Sequence, residues 1–435
     1  MAPTRKDVVQ KTPPVSVGEP DKPTVVEETG EPYANSWIEI DQDAIRHNYE
    51  DLSAFFGPNT EIVCVVKGRA YGHGYFPTVP VLERAGARRF AVFSAHEATR
   101  FKLRARPDSS LQIMGGAHPD HIPWVVKEGC EPWVNVPGAW PDFEAEIARQ
   151  RKTTRFHVEV ETGMNRTGLP WDEALDVCAR IHDDPHAVLE GVCTHLAGAE
   201  EKKNEGRVAL QKQRYFRFLD EIEEMGIRPN TRHIASSSAA ILDPECRLDL
   251  VRIGISLYGF WPTREVYLRH MAAMGGEPAW DPYRALSWKS SVRLVRDVMD
   301  GDFVGYGDSH QMEGPGRIAI VPVGYADGFS RGLSNLGYVL IRGRRASIVG
   351  PVNMNMLQVN VGHIPEVEPG DEVVLIGHQG DEEITVASFS EYNYMVNYEF
   401  MTRLSDEIPR HPVKHLDGPG KEPIAEGPKM PGPHP

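Results

Sequence analysis

Apolar positions in this chain fall into two textures. Up to about residue 260, short runs rich in β-branched residues recur at 62–66 (IVCVV), 89–93 (RFAVF), 111–114, 133–136, 156–160 (FHVEV), 189–195 (LEGVCTH), 232–235 and 250–257. Most of the gaps between them carry amphipathic segments such as 77–87, 171–182 and 207–225. In the stretch QKQRYFRFLDEIE, Tyr215, Leu219 and Ile222 fall at i, i+4 and i+7, the spacing of a helix packed on one side. Strands alternating with helices at roughly 20–40-residue spacing read as parallel βα units, and eight of them predict a (β/α)8 TIM-type barrel.

Beyond about residue 280 the pattern changes. Strand-like runs at 288–298, 317–323, 338–341, 346–349, 356–361 and 372–376 are punctuated by Gly and Pro, with little helix between them. They predict a second, antiparallel β domain. The expected organisation is α/β plus all-β: a Pro-rich tail over 1–32, a barrel over 33–280, a β domain over 281–411 and a Pro/Gly-rich tail over 412–435. The first strand, 35–41, is expected to pair with the β domain. The segment 261–284 joins the two parts and reads as partly helical.

Composition refines this picture at the ends. Of the 35 prolines in 435 residues, six lie in 1–32 and seven in 412–435, so both ends are expected to be disordered or PPII-like tails. With 62 acidic and 47 basic residues the net charge is −15, which argues against a nucleic-acid partner. No apolar run approaches the roughly 18 residues of a spanning helix, and MAPTRKDVVQKTPP lacks the apolar core of a secretory signal. The five cysteines (Cys64, Cys130, Cys178, Cys193, Cys246) are scattered and show no metal-ligand spacing. They read as reduced thiols of a cytoplasmic protein with no metal site and no membrane association.

Function in a barrel sits at the C-terminal ends of its strands. Lys67 follows five apolar residues there, where partial desolvation would lower its pKa and make it a usable amine nucleophile; a lysine merely snorkelling from a strand end is the plainer alternative. Ala70-Tyr71-Gly72-His73-Gly74 follows as a turn with a phenol and an imidazole. Ser236-Ser237-Ser238 after the seventh strand suits either a helix cap or an anion, and Gly254 after the eighth lets backbone N–H groups approach a phosphate. Arg166, after a glycine turn, suits a carboxylate or a surface ion pair, and His195, ending strand six, suits a ligand contact or a core hydrogen bond. A lysine, a phosphate cradle, an imidazole and a carboxylate-binding arginine around one mouth fit pyridoxal phosphate held as a Schiff base.

The run Val65-Val66-Lys67-Gly68-Arg69-Ala70-Tyr71-Gly72-His73-Gly74 closely resembles the cofactor-lysine motif of the alanine racemase family. So do 161–166, Thr194-His195, 233–240, 252–259, 304–307, 323–328 and Asn397-Tyr398-Glu399, in the family's order across roughly 35–405. The resemblance implies a pyridoxal phosphate barrel followed by a β domain, in a homodimer whose active site is shared between subunits. It implies an isomerase that interconverts L- and D-alanine by a two-base mechanism on the external aldimine, in D-alanine biosynthesis. Lys67 would hold the cofactor and act as one base, and Tyr306 of the partner subunit would act on the opposite face. Arg166, Met354 and Tyr325 would bind substrate. Tyr71, Ser237, Gly254, Ile255 and Tyr398 would bind the phosphate, His195 would lie against the pyridine ring, and Arg252 would face the ring nitrogen.

Three departures bear on substrate range. Glu159 stands where many members carry a lysine that braces the arginine, Asn353-Met354-Asn355 replaces a common Cys-Met-Asp, and Asn165 precedes Arg166. The alternatives are a broad-specificity, serine or lysine racemase of the same fold, a non-catalytic cofactor-binding barrel protein, or a barrel-type decarboxylase or aldolase.

Overall fold

The computed structural model describes residues 34–389 and 396–414. The expected N-terminal tail, 1–32, lies outside the described residues, as do 415–435. Eight strands form one parallel sheet among the described residues: β2 (Glu61–Val65), β3 (Arg89–Val92), β4 (Ser110–Ile113), β5 (Glu131–Val134), β6 (Thr154–Glu159), β7 (Ala187–Cys193), β8 (Thr231–His233) and β9 (Leu250–Ile253). Their order, β8-β7-β6-β5-β4-β3-β2-β9, brings the two ends together. Arg252 N–H donates to Ala235 O at 3.0 Å, so the sheet is a nearly closed barrel. The intervening helices bury one stripe each. The helix Trp171–Asp183 buries Ala174, Val177, Cys178 and Ile181, and Glu205–Glu224 buries Gln211, Tyr215, Phe218 and Ile222. Phe218 takes the buried place expected of Leu219, which is only partly covered.

Among the described residues, the remaining strands form two further sheets. One has the order β14-β13-β16-β10-β1-β18, with β17 (Glu382–Ile384) beside β16 (Glu372–Gln379). Its other members are β1 (Ser36–Asp41), β10 (Leu286–Ser291), β13 (Tyr338–Ile341), β14 (Arg344–Ser347) and β18 (Arg410–Val413). β1 lies antiparallel to β10 and parallel to β18. The second sheet is β11 (Leu294–Val298), β12 (Gly316–Val321) and β15 (Leu357–Asn360).

Three details correct the reading from sequence. The run 288–298 is two strands, because the chain crosses between sheets at Val292 and Arg293, whose N–H groups donate to Asp371 O and Ile320 O at 2.8 Å each. The run 250–257 ends as a strand at Ile253 and turns at Gly254 into a 3-10 helix, Ile255–Tyr258. β18 extends to Val413, into the stretch read as a tail; Pro412 fits there because β18 is an edge strand, where a missing N–H costs no ladder bond.

Candidate active site

Lys67 stands two residues beyond the C-terminal end of β2. After it the backbone winds left-handed: Gly68, Arg69, Ala70 and Tyr71 have φ of 60, 56, 53 and 53°. A left-handed turn costs an ordinary L-residue roughly 1–2 kcal/mol, so three such residues in a row need outside support. That support is visible. Ala70 N–H donates to Val66 O at 2.7 Å and Gly72 N–H to Gly68 O at 2.9 Å. Glu97 accepts the Gly68 N–H at 2.6 Å, and Arg69 donates to Thr402 O and Leu404 O at 3.1 Å each. Arg69 also pairs with Asp406. The helix Asn397–Arg403 presses on the turn so closely that a Cβ on Gly72 would stand 2.1 Å from Met401 O.

This turn brings Tyr71 to the end of β9. A Cβ on Gly254 would stand 2.3 Å from the Tyr71 hydroxyl oxygen. The Gly254 N–H donates to Ser237 Oγ at 3.2 Å, and the Tyr398 ring meets Tyr71 edge-on with centroids 6.4 Å apart. Ser236, at the N-terminal end of the helix Ser237–Leu242, makes no side-chain cap. The 3-10 helix beginning at Ile255 starts at the same spot, and first-turn N–H groups of a helix have no partner within it. Tyr71, Ser237, Gly254, Ile255 and Tyr398 therefore converge on one polar recess, and glycine is required at 254 by the closeness of the phenol. Burial raises the Tyr71 phenol, with Tyr398 adding to the effect, so Tyr71 is a neutral hydrogen-bond donor.

The charged side of the mouth is cationic. Arg252 is buried and donates to His233 Nδ1 at 2.7 Å, His233 O at 3.0 Å, Thr194 O at 2.9 Å and Ile234 O at 3.2 Å. Its guanidinium also lies 5.2 Å from the centre of the Trp133 ring. Lys67 is open to solvent in this concave mouth. Desolvation by the walls, then the charges of Arg166 and Arg252, pull its pKa below the ordinary lysine value, while Glu97 opposes them. His195 is lowered to about 3 by burial, Arg252, Arg166 and Lys67, so it is a neutral ring. Arg166 itself is exposed, on a loop where Glu161 accepts the Asn165 N–H at 2.8 Å. Glu159 is buried at the end of β6, receives a hydrogen bond from Asn135 at 2.8 Å and another from Thr167, and is raised by burial.

Tyr306, Tyr325 and Met354 lie on loops of the C-terminal part of the chain. They are 80%, 44% and 55% exposed, and the loops of Tyr325 and Met354 bond to one another. Tyr325 N–H donates to Asn353 O and Ala326 N–H to Met354 O, each at 3.0 Å, and a Cβ on Gly350 would strike Val304 O at 2.3 Å.

Several participants escaped the sequence reading. Glu97 braces the lysine turn from another βα unit, and Trp133 lies against Arg252. His73, in the lysine motif, is a packing residue. It is fully buried, stacks on Tyr258 with centroids 4.4 Å apart, and is lowered to about 4 by burial. Among the described residues no cluster of His, Cys, Asp or Glu could hold a metal, and no helix is long and apolar enough to cross a membrane.

A basic, partly desolvated amine, a neutral imidazole, a buried guanidinium and a glycine-lined recess of donors fit a phosphorylated aldehyde with an aromatic nitrogen. Comparison with known proteins points the same way. The alanine racemase N-terminal domain matches residues 40–262 and the alanine racemase C-terminal domain matches 285–412. An alanine racemase of Desulforamulus reducens is 36% identical over 385 residues, covering 86% of this chain and 98% of its own. The crystal structure of alanine racemase from Bacillus anthracis with bound L-Ala-P superposes with a TM-score of 0.79 at 30% identity, covering 88% of this chain and 96% of that one. That of Bartonella henselae with covalently bound pyridoxal phosphate does so with a TM-score of 0.73 at 26% identity, covering 88% and 100%.

Proposed function

The chain belongs to the alanine racemase family, and from that premise we propose that it interconverts L- and D-alanine with pyridoxal phosphate carried on Lys67. The observation that carries the proposal is the convergence of Lys67, Arg252 and the Tyr71–Gly254 recess at one barrel mouth. The relatives named alanine racemase favour alanine over the broad-specificity alternative.

Pyridoxal phosphate, when bound, supplies an aldehyde for the substrate amine and a ring that spreads the negative charge left when Cα loses its proton. Everything else falls to this chain. Tyr71, Tyr398, the Ser237 hydroxyl and the N–H groups at Gly254 and Ile255 would hold the phosphate. His195, kept neutral, would lie against the ring without competing for positive charge. Arg252 cannot give up its proton, so beside the ring nitrogen it would donate a hydrogen bond and disfavour protonation there, which limits side reactions such as transamination. Lys67, with its amine free, would take or return the proton on one face of Cα. Its lowered pKa suits that work.

The opposite face needs a second acid–base group. Tyr306 is assigned that role, acting from the partner subunit of a homodimer. Its high exposure, shared with Tyr325 and Met354, supports this reading. Arg166 would hold the substrate carboxylate, with the Met354 N–H and Tyr325 beside it. The five cysteines are all buried and unpaired, which supports a cytoplasmic setting.

The test is direct: purified protein loaded with pyridoxal phosphate is incubated separately with L-Ala, L-Ser, L-Lys and L-Arg, and each D-enantiomer is measured. Alanine is expected to turn over fastest; turnover highest with another amino acid rejects the alanine assignment. A Gly254→Ala variant is expected to weaken cofactor affinity by roughly tenfold or more, because its Cβ displaces the Tyr71 hydroxyl; titration of pyridoxal phosphate onto the cofactor-free chain reads this out.

A further inference from the structure

The interior of a barrel of this kind is ordinarily filled with branched apolar side chains. Here a line of polar groups runs through it. Arg252 Nη1 lies 2.7 Å from His233 Nδ1, His233 Nε2 lies 2.9 Å from His157 Nδ1, and His157 Nε2 lies 3.3 Å from Glu131 Oε2. All four side chains are buried. The two imidazoles meet only because β7 carries Gly191: a Cβ there would stand 2.2 Å from His157 Nδ1 and 2.9 Å from His233 Nε2. The strand ladder between β6 and β7 shifts register at this point, between Phe156 and His157.

The direction of every bond in the line follows from its two ends. A guanidinium has only donors, so His233 Nδ1 must accept and its proton must sit on Nε2. That proton can only be given to His157 Nδ1, which places the His157 proton on Nε2, facing Glu131. Burial alone would raise the Glu131 carboxyl, but His157, Arg155 and Arg89 hold it down at about 2, so it is an ionised acceptor. Glu131 opens β5, and its partner Arg155, at 2.7 Å, lies near the start of β6. Arg89, opening β3, pairs in turn with Glu190 and Glu61 at 2.8 Å each. The line therefore joins the mouth, where Arg252 sits, to an ion-pair network toward the opposite, N-terminal ends of the strands.

We propose that Glu131, His157 and His233 are positioning residues that form a one-way hydrogen-bond relay, setting the place and effective charge of Arg252 at the cofactor's ring nitrogen. The role at the ring nitrogen rests on the function proposed above; the relay itself does not. An imidazole that donates to a carboxylate becomes a better acceptor on its other nitrogen, so the Glu131 charge is passed along two rings and partly neutralises the guanidinium. The buried cation thus gains a counter-charge along the line from Glu131, beside that of Glu159, which also acts on Arg252.

The experiment is solid-state 15N NMR on the full chain with 15N-labelled histidine, loaded with pyridoxal phosphate labelled at its ring nitrogen. His157 and His233 are expected as neutral imidazoles protonated on Nε2, with or without cofactor; an Nδ1–H tautomer or an imidazolium at either position overturns the relay. In Glu131→Gln, whose amide oxygen still accepts from His157, Arg252 keeps more of its charge. The ring-nitrogen signal is expected to move toward that of a more strongly hydrogen-bonded pyridine, while Glu128→Gln leaves it in place. A folded Glu131→Gln protein with an unmoved ring signal overturns the electrostatic role. Failure of the cofactor to load on Lys67 would count against the proposed function alone, since the tautomers are read without it.

Discussion

Replacing Lys67 by alanine is expected to remove both the visible absorbance of the cofactor Schiff base and racemisation, the latter by a factor on the order of 10⁴ or more, because one residue both carries the cofactor and acts as a base. The fold should survive, since Lys67 is solvent-accessible and the turn beside it is held by Glu97, Arg69 and the helix Asn397–Arg403 rather than by the lysine. Far-ultraviolet circular dichroism and the melting temperature check that point. A companion measurement uses the lowered Lys67 pKa. Desolvation and the charges of Arg166 and Arg252 disfavour the ammonium form, so more free amine is present at a given pH than for an ordinary lysine. The rate of cofactor attachment to the cofactor-free chain should therefore rise with pH and level off with a midpoint below 10.5, the ordinary lysine value. A midpoint at or above that value, or Schiff-base absorbance surviving in Lys67→Ala, removes Lys67 from the role.

Tyr306→Phe is expected to slow racemisation by roughly 10²–10⁴-fold while leaving proton exchange on one face intact. In D₂O, one enantiomer of alanine should take up deuterium at Cα through Lys67 without inverting. Full racemisation in both directions by this variant would refute the two-base reading. Tyr306 is 80% exposed, and its proposed work is on a second copy of the chain. Mixing tests this. Lys67→Ala and Tyr306→Phe proteins, each nearly inactive, are dissociated together and allowed to reassociate at random. Half of the dimers then carry one variant of each kind, with one site intact and the other broken twice, and about a quarter of the wild-type activity should return. If both residues served a site within one chain, mixing would restore nothing.

Particular residues show how far the sequence could be read. The eight barrel strands were visible because most are short apolar runs between turn signals and each intervening helix buries a stripe such as Ala174, Val177, Cys178 and Ile181. Lys67 and Gly254 were visible because they sit at strand ends, where chemistry in a barrel collects, whereas Arg252 was singled out only by the family resemblance. Glu97, Trp133, His157 and Glu131 were not. Each lies on a different βα unit from the group it touches, and nothing in its local pattern distinguishes it from an ordinary surface or core residue. The crossing at Val292 and Arg293 was hidden for a related reason, since a strand leaving one sheet for another keeps the same alternation.

Local patterning and composition by themselves determined the alternation of strands and helices, the two textures of the chain and the amine at the first strand end, because backbone periodicity and turn chemistry act over a few residues. Only the tertiary structure decided the left-handed turn after Lys67. Three non-glycine residues hold that strained conformation because Glu97 and the helix Asn397–Arg403, far away in the chain, bond to it and pack against it. The same is true of the line from Arg252 to Glu131. Its protonation pattern is imposed by which groups the closed barrel brings within 3.3 Å of one another, a distance that carries no trace in the order of the residues.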